Sequence, residues 1–505
     1  MQIREHAQTH PDRPAVIVYP SGTTVTFGEM EERANQLAHL FRQAGLREGD
    51  AIAILMPNNE HYHTVMWAAR RAGLYYVPIN TQLTAAEAAY IVDNSSAKAI
   101  VGSAALRPVL ERIDGLPALR IVVGGELDGW LSYPECIAAQ PDTPIVDEIE
   151  GDLLQYSSGT TGRPKGIKRP LSHLPPSQAR GLMSSMPSAW ASPDGVYLSP
   201  APLYHTAPSV WSMRMHSAGI PVVVMEKFDA EGALDAIQRH RVTHAQLVPA
   251  MFTRMLKLPE RVRDSYDVSS LKRVLHAAAP CPIEVKRKMI EWWGPIVDEY
   301  YASSEQIGLT LITAEDWLQH PGSVGRPMYG ALHIVGEDGS ELPAGEPGEV
   351  YFESSGSFEY LNDAEKTAAS RHERGWVTVG DIGYLDGDGY LYLTDRRHHM
   401  IISGGVNIYP QEAENSLVTH SRVMDAAVFG IPDEEMGQSV KAVVQLVDAA
   451  DANPEFADEL LAWLRERLAH YKCPRSISFE ETLPRTDTGK LYKQSLIEKY
   501  SRDGS

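Results

Sequence analysis

The sequence predicts an α/β protein built from more than one domain. Short apolar runs alternate with amphipathic stretches through the first 150 residues, the pattern of mostly parallel sheets covered by helices. At 505 residues the chain exceeds what one hydrophobic core usually supports. After Asp395 it restarts as a second compact unit of short strands and helices.

In chain order, the apolar runs 15–19 and 51–56 predict strands, and 27–44 predicts a helix between them. Thr26 stands ahead of that helix, and Met30, Ala34, Leu37, Leu40 and Phe41 recur at helical spacing, which makes them core positions without a ligand. The run Leu153-Leu154-Gln155-Tyr156 predicts one strand. Between about 322 and 349 the composition shifts to Gly and Pro around the strand-like pieces 331–335 and 348–352, predicting a small β-rich subdomain. Beyond Asp395 the expectations are a strand near 400–402, a helix from Pro410, strands at 426–431 and 440–447, then a helix. In that last helix Leu460, Leu461, Leu464 and Leu468 form a stripe buried against a sheet.

The formal charge of −20, from 46 Lys+Arg against 66 Asp+Glu, argues against a nucleic-acid partner. Cys136, Cys281 and Cys473 are odd in number and lack C-x-x-C spacing, which suits a reducing compartment and offers no zinc site. With no charged-then-apolar leader and no apolar run of about 18 residues, no integral membrane segment is expected, and the expected location is cytoplasmic. No internal repeat or low-complexity tract is visible.

The densest chemical signal is Tyr156-Ser157-Ser158-Gly159-Thr160-Thr161-Gly162-Arg163-Pro164-Lys165-Gly166. Its glycines let backbone approach a ligand, while hydroxyls, amides and the Lys165 ammonium suit phosphate oxygens. No Gly-Lys-Ser/Thr closes it, so it is not the phosphate loop of kinases and GTPases. The loop resembles the phosphate signature of the acyl- and aryl-adenylate-forming superfamily, which includes acyl-CoA synthetases, firefly-luciferase-like enzymes and peptide-synthetase adenylation domains. Further landmarks follow in that superfamily's order. Pro202-Leu203-Tyr204-His205-Thr206 is similar to its segment beside the acyl pocket, and Tyr300-Tyr301-Ala302-Ser303-Ser304-Glu305 to its Tyr-Gly-x-Thr-Glu motif. Trp376-Val377-Thr378-Val379-Gly380-Asp381 is similar to its Thr-Gly-Asp motif, and the stretch from Asp395 to Pro410 to its domain-junction motif. Pro484-Arg485-Thr486-Asp487-Thr488-Gly489-Lys490 is similar to the segment carrying its catalytic lysine.

The resemblance covers nearly the whole chain and implies a fold. A large N-terminal adenylation domain, 1–395, would hold two α/β sheet subdomains and a β-rich subdomain near 322–395. A hinge at 396–400 would lead to a smaller mobile α+β domain, 401–505. It also implies an activity: an acid:coenzyme A ligase that forms acyl-AMP with release of pyrophosphate, then passes the acyl group to coenzyme A. The alternative is an adenylating enzyme that loads a separate carrier protein or another acceptor. ATP, Mg2+ and coenzyme A are the implied cofactor and co-substrates, with a small-molecule carboxylic acid as partner substrate and a monomer or homodimer as the expected assembly.

Such a reaction needs phosphate donors, a divalent cation, a ribose anchor and a cation near the reacting carboxylate. Ser157, Ser158, Gly159, Thr160, Thr161, Gly162 and Lys165 would supply the first. Glu305 suits Mg2+, a hard cation that takes one or two carboxylates plus phosphates and water; its other reading is an exposed Glu at a helix start. Asp381, in a loop after a Val-Thr-Val run, can accept both ribose hydroxyls, with Arg396 on ribose or phosphate by resemblance. Tyr301 offers a ring for adenine, Ala278 and Ala279 leave room for a base edge, and Ser304 stands beside Glu305; packing is the other reading of each. Lys490, in a polar turn, suits the charge developing between carboxylate and α-phosphate.

The acyl pocket is expected from His205, Trp211, Met213, Met215, Ala277 and Ala302, an apolar lining for a fatty, steroid side-chain or aryl-alkanoic acid. His205 is also a candidate catalytic group. No aspartate occurs from His205 to Met215, where an amino-acid adenylating module usually places one, and no carrier domain is expected before Ser505. Ser403, Gly404 and Gly405 resemble the coenzyme A synthetase version of the junction motif, and Lys472 a contact near the nucleotide end of coenzyme A. Three departures from the superfamily pattern stand out. Ala302 replaces the usual glycine, Gln306 replaces the glycine often found after the glutamate, and His398 holds the hinge position where Asp or Lys is commoner. A hinge histidine has two readings, a charge switch near neutrality or a tolerated polar residue.

Overall fold

In the computed structural model, the described residues are 3–157, 164–179, 190, 192, 194–353, 356–396, 400–403, 406–433, 436–485 and 491–502; the side chains of 395, 396, 407 and 502 are not described. Two large sheets dominate the first 330 residues, as the alternation of apolar runs and helices predicts. Among the described residues, one sheet has nine strands. Its six central strands, Pro14–Tyr19, Val222–Met225, Tyr197–Ser199, His244–Leu247, Arg273–His276 and Val297–Ala302, run parallel; Thr24–Thr26, Leu309–Ile312 and Arg326–Tyr329 are antiparallel edges. The other sheet is all parallel and has six strands, among them Ala97–Ser103, Ala51–Leu55, Tyr75–Pro78 and Asp152–Leu153.

The amphipathic helix is Phe27–Gln43, and Thr26 closes a capping box with Glu29: the hydroxyl accepts from the Glu29 N–H at 3.2 Å and the carboxylate from the Thr26 N–H at 2.9 Å. Met30, Ala34, Leu37 and Phe41 are fully buried between the sheets. The run 153–156 does not form one strand. Asp152–Leu153 ends the six-stranded sheet, whereas Gln155–Ser157 pairs antiparallel with Lys165–Lys168 in a separate small sheet completed by Glu359–Tyr360. Leu154 still donates to Tyr76 O before the chain changes partner. An apolar run records burial, not which sheet supplies the hydrogen bonds, so periodicity misses this switch.

The β-rich part is a four-stranded antiparallel sheet of Ala331–Val335, Gly348–Glu353, Val377–Leu385 and Leu391–Arg396. Beyond it, the hairpin Ile401–Ser403/Val406–Ile408 and the helix Pro410–Val418 lead to the long antiparallel pair Val423–Asp433/Gly437–Leu446, with Ser476–Phe479 added in parallel. The helix Pro454–Arg465 buries Leu460, Leu461 and Leu464; Leu468 lies past its end but packs on the same core.

One core feature was not legible in the pattern. His216 and His63 are both fully buried, 4.6 Å apart between ring centroids. His216 Nδ1 accepts from the Trp67 indole at 3.4 Å and Nε2 donates to Ala15 O at 3.0 Å, an arrangement that fits the neutral ring. Burial pushes the His216 pKa down to about 4 and lowers that of His63 as well. Because the folded value is depressed, stability is present above about pH 6.5 and is lost as pH falls toward 4, by about 3 kcal/mol for His216. Urea unfolding at pH 7 and pH 5 is expected to show that loss, and His216→Gln to reduce it; an equal loss in the variant contradicts the assignment.

Candidate functional site

Both large sheets end, at the carboxyl edges of their parallel strands, on one cleft of about 1260 Å3. Open α/β sheets bind ligands at that edge because loops there are free to vary while the strands hold them. Gln246 and Val248, Ala277, Ala278 and Ala279, and Tyr300, Tyr301 and Ala302 reach the cleft from the ends of three neighbouring parallel strands. Ser157 and Lys165 come from the small hairpin, and the segment Tyr204 to Trp211 from the start of the helix Thr206–Ser217.

Glu305 lies in a turn, not at a helix start, and lines the cleft. Its Oε1 accepts from the Tyr360 hydroxyl at 2.8 Å, which fixes the carboxylate. Ser304 Oγ and Thr206 Oγ1 are 2.8 Å apart, tying this turn to the His205 segment. Lys165 is ion-paired with Asp363, whose carboxyl the hydrogen bond to Lys165 holds below its usual range. A phosphate reaching Lys165 therefore shares that cation with Asp363. The residue after Glu305, Gln306, has φ +55°, a conformation glycine takes without steric cost.

Asp381 lies inside the strand Val377–Leu385, not in a loop. Gly380, at φ +82°, accompanies a register shift against Glu349 to Tyr351, and this bulge presents Asp381 to the cleft. The Tyr301 hydroxyl donates to Asp381 Oδ2 at 2.6 Å, and Phe352 stacks on the Tyr301 ring at 6.0 Å and 29°. Phe352 in turn sits where a side chain on Gly308 would be, since a Cβ there would lie 1.9 Å from its ring. Arg396 pairs with Asp381 across adjacent strands. The Tyr301–Asp381 pair thus joins a ring and a carboxylate, as adenine and ribose require.

Of the acyl-pocket expectations, His205, Trp211, Ala277 and Ala302 line the cleft, and Met213 and Met215 do not. On the helix Thr206–Ser217 the cleft-lining residues are Thr206, Ala207, Pro208, Val210 and Trp211. Met213 turns to the core instead, and Met215, a turn beyond Trp211, reaches only a small cavity behind it. Apolar composition did not separate the two faces. Ser403 and Lys472 also stand apart from the cleft lining; Lys472 donates to both oxygens of Glu412, at 2.8 and 2.6 Å. Ser158, Gly159, Thr160, Thr161, Gly162, His398, Gly404, Gly405 and Lys490 lie outside the described residues.

Sequence reasoning missed several contributors. Gln155, whose Nε2 donates to Tyr204 O at 3.2 Å, links the hairpin to the His205 segment. Thr206, which lines the cleft and bonds the expected Ser304, flanks His205 and was within reach. Glu299 lines the cleft while its Oε2 accepts from the fully buried Lys286 at 2.7 Å. From the C-terminal part come Gln411, Asn415, Glu414 and Lys493, the last two ion-paired at 2.8 Å, together with Arg485 and Leu491, which flank residues 486–490 in sequence. No local pattern marks these, because they join through contacts between distant segments.

A single hard carboxylate beside a cation-bearing hairpin fits Mg2+ shared with phosphate oxygens and water, and no cluster of three or more His, Cys, Asp or Glu able to hold a metal occurs among the described residues. Bound there, the ion would neutralise phosphate charge; Glu305, oriented by Tyr360, would hold it. No helix among the described residues is long and apolar enough to cross a membrane.

Residues 3–360 match the AMP-binding enzyme family model, and residues 412–490 the AMP-binding enzyme C-terminal domain. The long-chain-fatty-acid–CoA ligase FadD13 of Mycobacterium tuberculosis is 33% identical over 514 residues, spanning 99% of this chain and 98% of that protein. A feruloyl-CoA synthase of Amycolatopsis sp is 34% identical over 492 residues, 96% of each chain. The crystal structure of ATP-bound MatB from Rhodopseudomonas palustris superposes with a TM-score of 0.82 at 27% identity over 100% of both chains. The chain belongs to the AMP-binding, adenylate-forming enzyme family and is an acyl-CoA synthetase of the AMP-forming type, using ATP, Mg2+ and coenzyme A.

Proposed function

We propose that this chain activates a hydrophobic carboxylic acid and transfers it to coenzyme A, with the roles carried by the residues assembled above. The acid's carboxylate oxygen attacks the α-phosphorus of ATP, and pyrophosphate leaves. The thiol of coenzyme A then attacks the acyl carbonyl, loses its proton, and AMP leaves. One observation supports this assignment above others: a single cleft is lined at once by Lys165 and Glu305, by the Tyr301–Asp381 pair, and by the apolar wall of Ala207, Val210, Trp211 and Tyr300.

In this reading Ser157, Lys165 and the intervening loop hold the phosphates, Asp381 and Arg396 the ribose, and Tyr301 with Ala278 and Ala279 the adenine. His205 stands between acid and phosphate. Lys490 is the cation at the reacting oxygen, carried by a segment whose flanks, Arg485 and Leu491, line the cleft. Arg485 is anchored bidentately to Asp425, one of the two contacts at 2.6 Å, and Lys493 to Glu414, so both ends of that segment are held. The unit 401–505 would pivot about 396–400, including His398, to bring Ser403, Gly404, Gly405 and Lys472 to coenzyme A for the second step.

AMP formation from ATP, measured across fatty, steroid and aryl-alkanoic acids, is expected to require both acid and coenzyme A, and to fall about 10²–10³-fold in Lys490→Ala. Acid-dependent pyrophosphate release without a thioester would instead assign the acyl group to a carrier protein or another acceptor.

A further inference from the structure

One side chain separates the cleft from a second void. Trp211 lines the cleft and also a cavity of about 10 Å3, whose other walls include Trp190, Tyr197, Met215 and Leu275. The indole is held in place. Its Nε1–H donates to the Tyr300 hydroxyl at 3.0 Å, the two rings meet at 5.9 Å and 58°, and Trp190 packs on the indole at 5.9 Å and 61°. Trp211 is 1% exposed and Tyr300 7%. Swinging the indole aside would leave a buried N–H and a buried phenol without each other, which opposes the movement. The void beyond it has room for about one water, so it offers an acyl chain nothing until the indole is gone.

The tie also joins separate parts of the fold. Trp211 rides the helix Thr206–Ser217, and Tyr300 the strand Val297–Ala302. Ala207, Val210, Ala277 and Leu309 add apolar side chains to the lining of the same cleft. Two rings inclined to one another present edges and faces that suit a flat aromatic group better than a flexible chain.

We propose that the Trp211–Tyr300 pair is the specificity determinant of the acid site: it ends the acyl chamber, so the enzyme takes a compact aryl or arylalkyl acid and refuses long straight-chain acids. This rests on the assignment of the cleft as the acid's site. Of the two activities carried by the relatives above, it favours an aromatic acid over a long-chain fatty acid.

The test is a kcat/KM profile for thioester formation with butyrate, octanoate, palmitate, phenylpropionate and cinnamate, in wild type, Trp211→Ala and Tyr300→Phe. Wild type is expected to prefer the aryl acids to palmitate by about 100-fold or more. Trp211→Ala should shift the optimum to longer chains, with palmitate gaining about tenfold or more over wild type. Tyr300→Phe keeps the ring and removes the tie, and should raise palmitate about threefold. Palmitate used by wild type as well as the aryl acids overturns the proposal, as does an unchanged profile in Trp211→Ala that still melts as a folded protein. Should Trp211→Ala not fold, Tyr300→Phe decides alone: a gain for palmitate supports the partition, and an unchanged profile overturns it. No acid activated by any variant removes the ligase assignment itself, and this proposal with it.

Discussion

Replacing Lys286 by methionine is expected to destabilise the N-terminal sheets by about 3–5 kcal/mol, because it strands a buried carboxylate. The Lys286 ammonium has no exposed surface, donates to Glu299 Oε2 at 2.7 Å and sits 4.8 Å from the Trp317 ring centroid. His276 Nε2 lies 3.4 Å from the same oxygen but does not replace the cation, since burial, the main cause of its lowered pKa, persists in the variant and keeps the imidazole neutral. Burial already pushes the Glu299 carboxyl up, with Lys286 opposing it. Without Lys286 the folded pKa rises further, so the loss should be largest at neutral pH and shrink as pH falls toward the unfolded value, where Glu299 is protonated in both states. Thermal or denaturant unfolding of the N-terminal transition measures the effect, since a chain of this size need not unfold in one step. Lys286→Met with Glu299→Gln should recover most of the loss. A double variant no better than the single would place the defect in the packing of the lysine stem, and a single variant that melts like wild type would discard the pair as a determinant.

Glu305→Gln is expected to cut adenylation about 10²–10³-fold while leaving the fold intact. The amide keeps the shape and can still accept from the Tyr360 hydroxyl, which donates to Glu305 Oε1 at 2.8 Å, but it removes the charge that a hard cation needs. Because thioester formation from acyl-AMP has no phosphate charge transfer for Mg2+ to assist, that half-reaction should survive. ATP–pyrophosphate exchange set against conversion of supplied acyl-AMP to thioester separates the two. An exchange rate with the wild-type Mg2+ dependence would show that Glu305 is not the metal ligand.

The residues within or beside the motifs were legible because the chemistry needs particular groups close together in sequence. Glu305, Tyr301, Asp381, Lys165 and His205 all line one cleft, although they come from a turn, two strands, a hairpin and the N-cap of a helix. The sequence pattern puts Asp381 in a loop after the Val-Thr-Val run and Gly380. In the fold the same glycine makes a bulge inside a strand, which serves the same end of turning the carboxylate outward. The single strand expected at 153–156 divides between two sheets, since an apolar run specifies burial without naming a hydrogen-bonding partner.

By itself the sequence determined the α/β class, the order of the motifs, the Ser/Thr/Gly-rich loop after Tyr156 and the absence of an acidic residue between His205 and Met215. These follow from local patterning: alternation, helical spacing and residues clustered within a few positions. The tertiary structure alone decided which side of the helix Thr206–Ser217 faces the cleft, sending Met213 to the core and Trp211 against Tyr300. It also paired Lys286 with Glu299, Lys165 with Asp363 and Lys493 with Glu414, and brought the C-terminal helix Pro410–Val418 over the cleft. Such pairings depend on how helices rotate and sheets stack, and a linear pattern of apolar and polar residues carries burial but not the partner that each buried group meets.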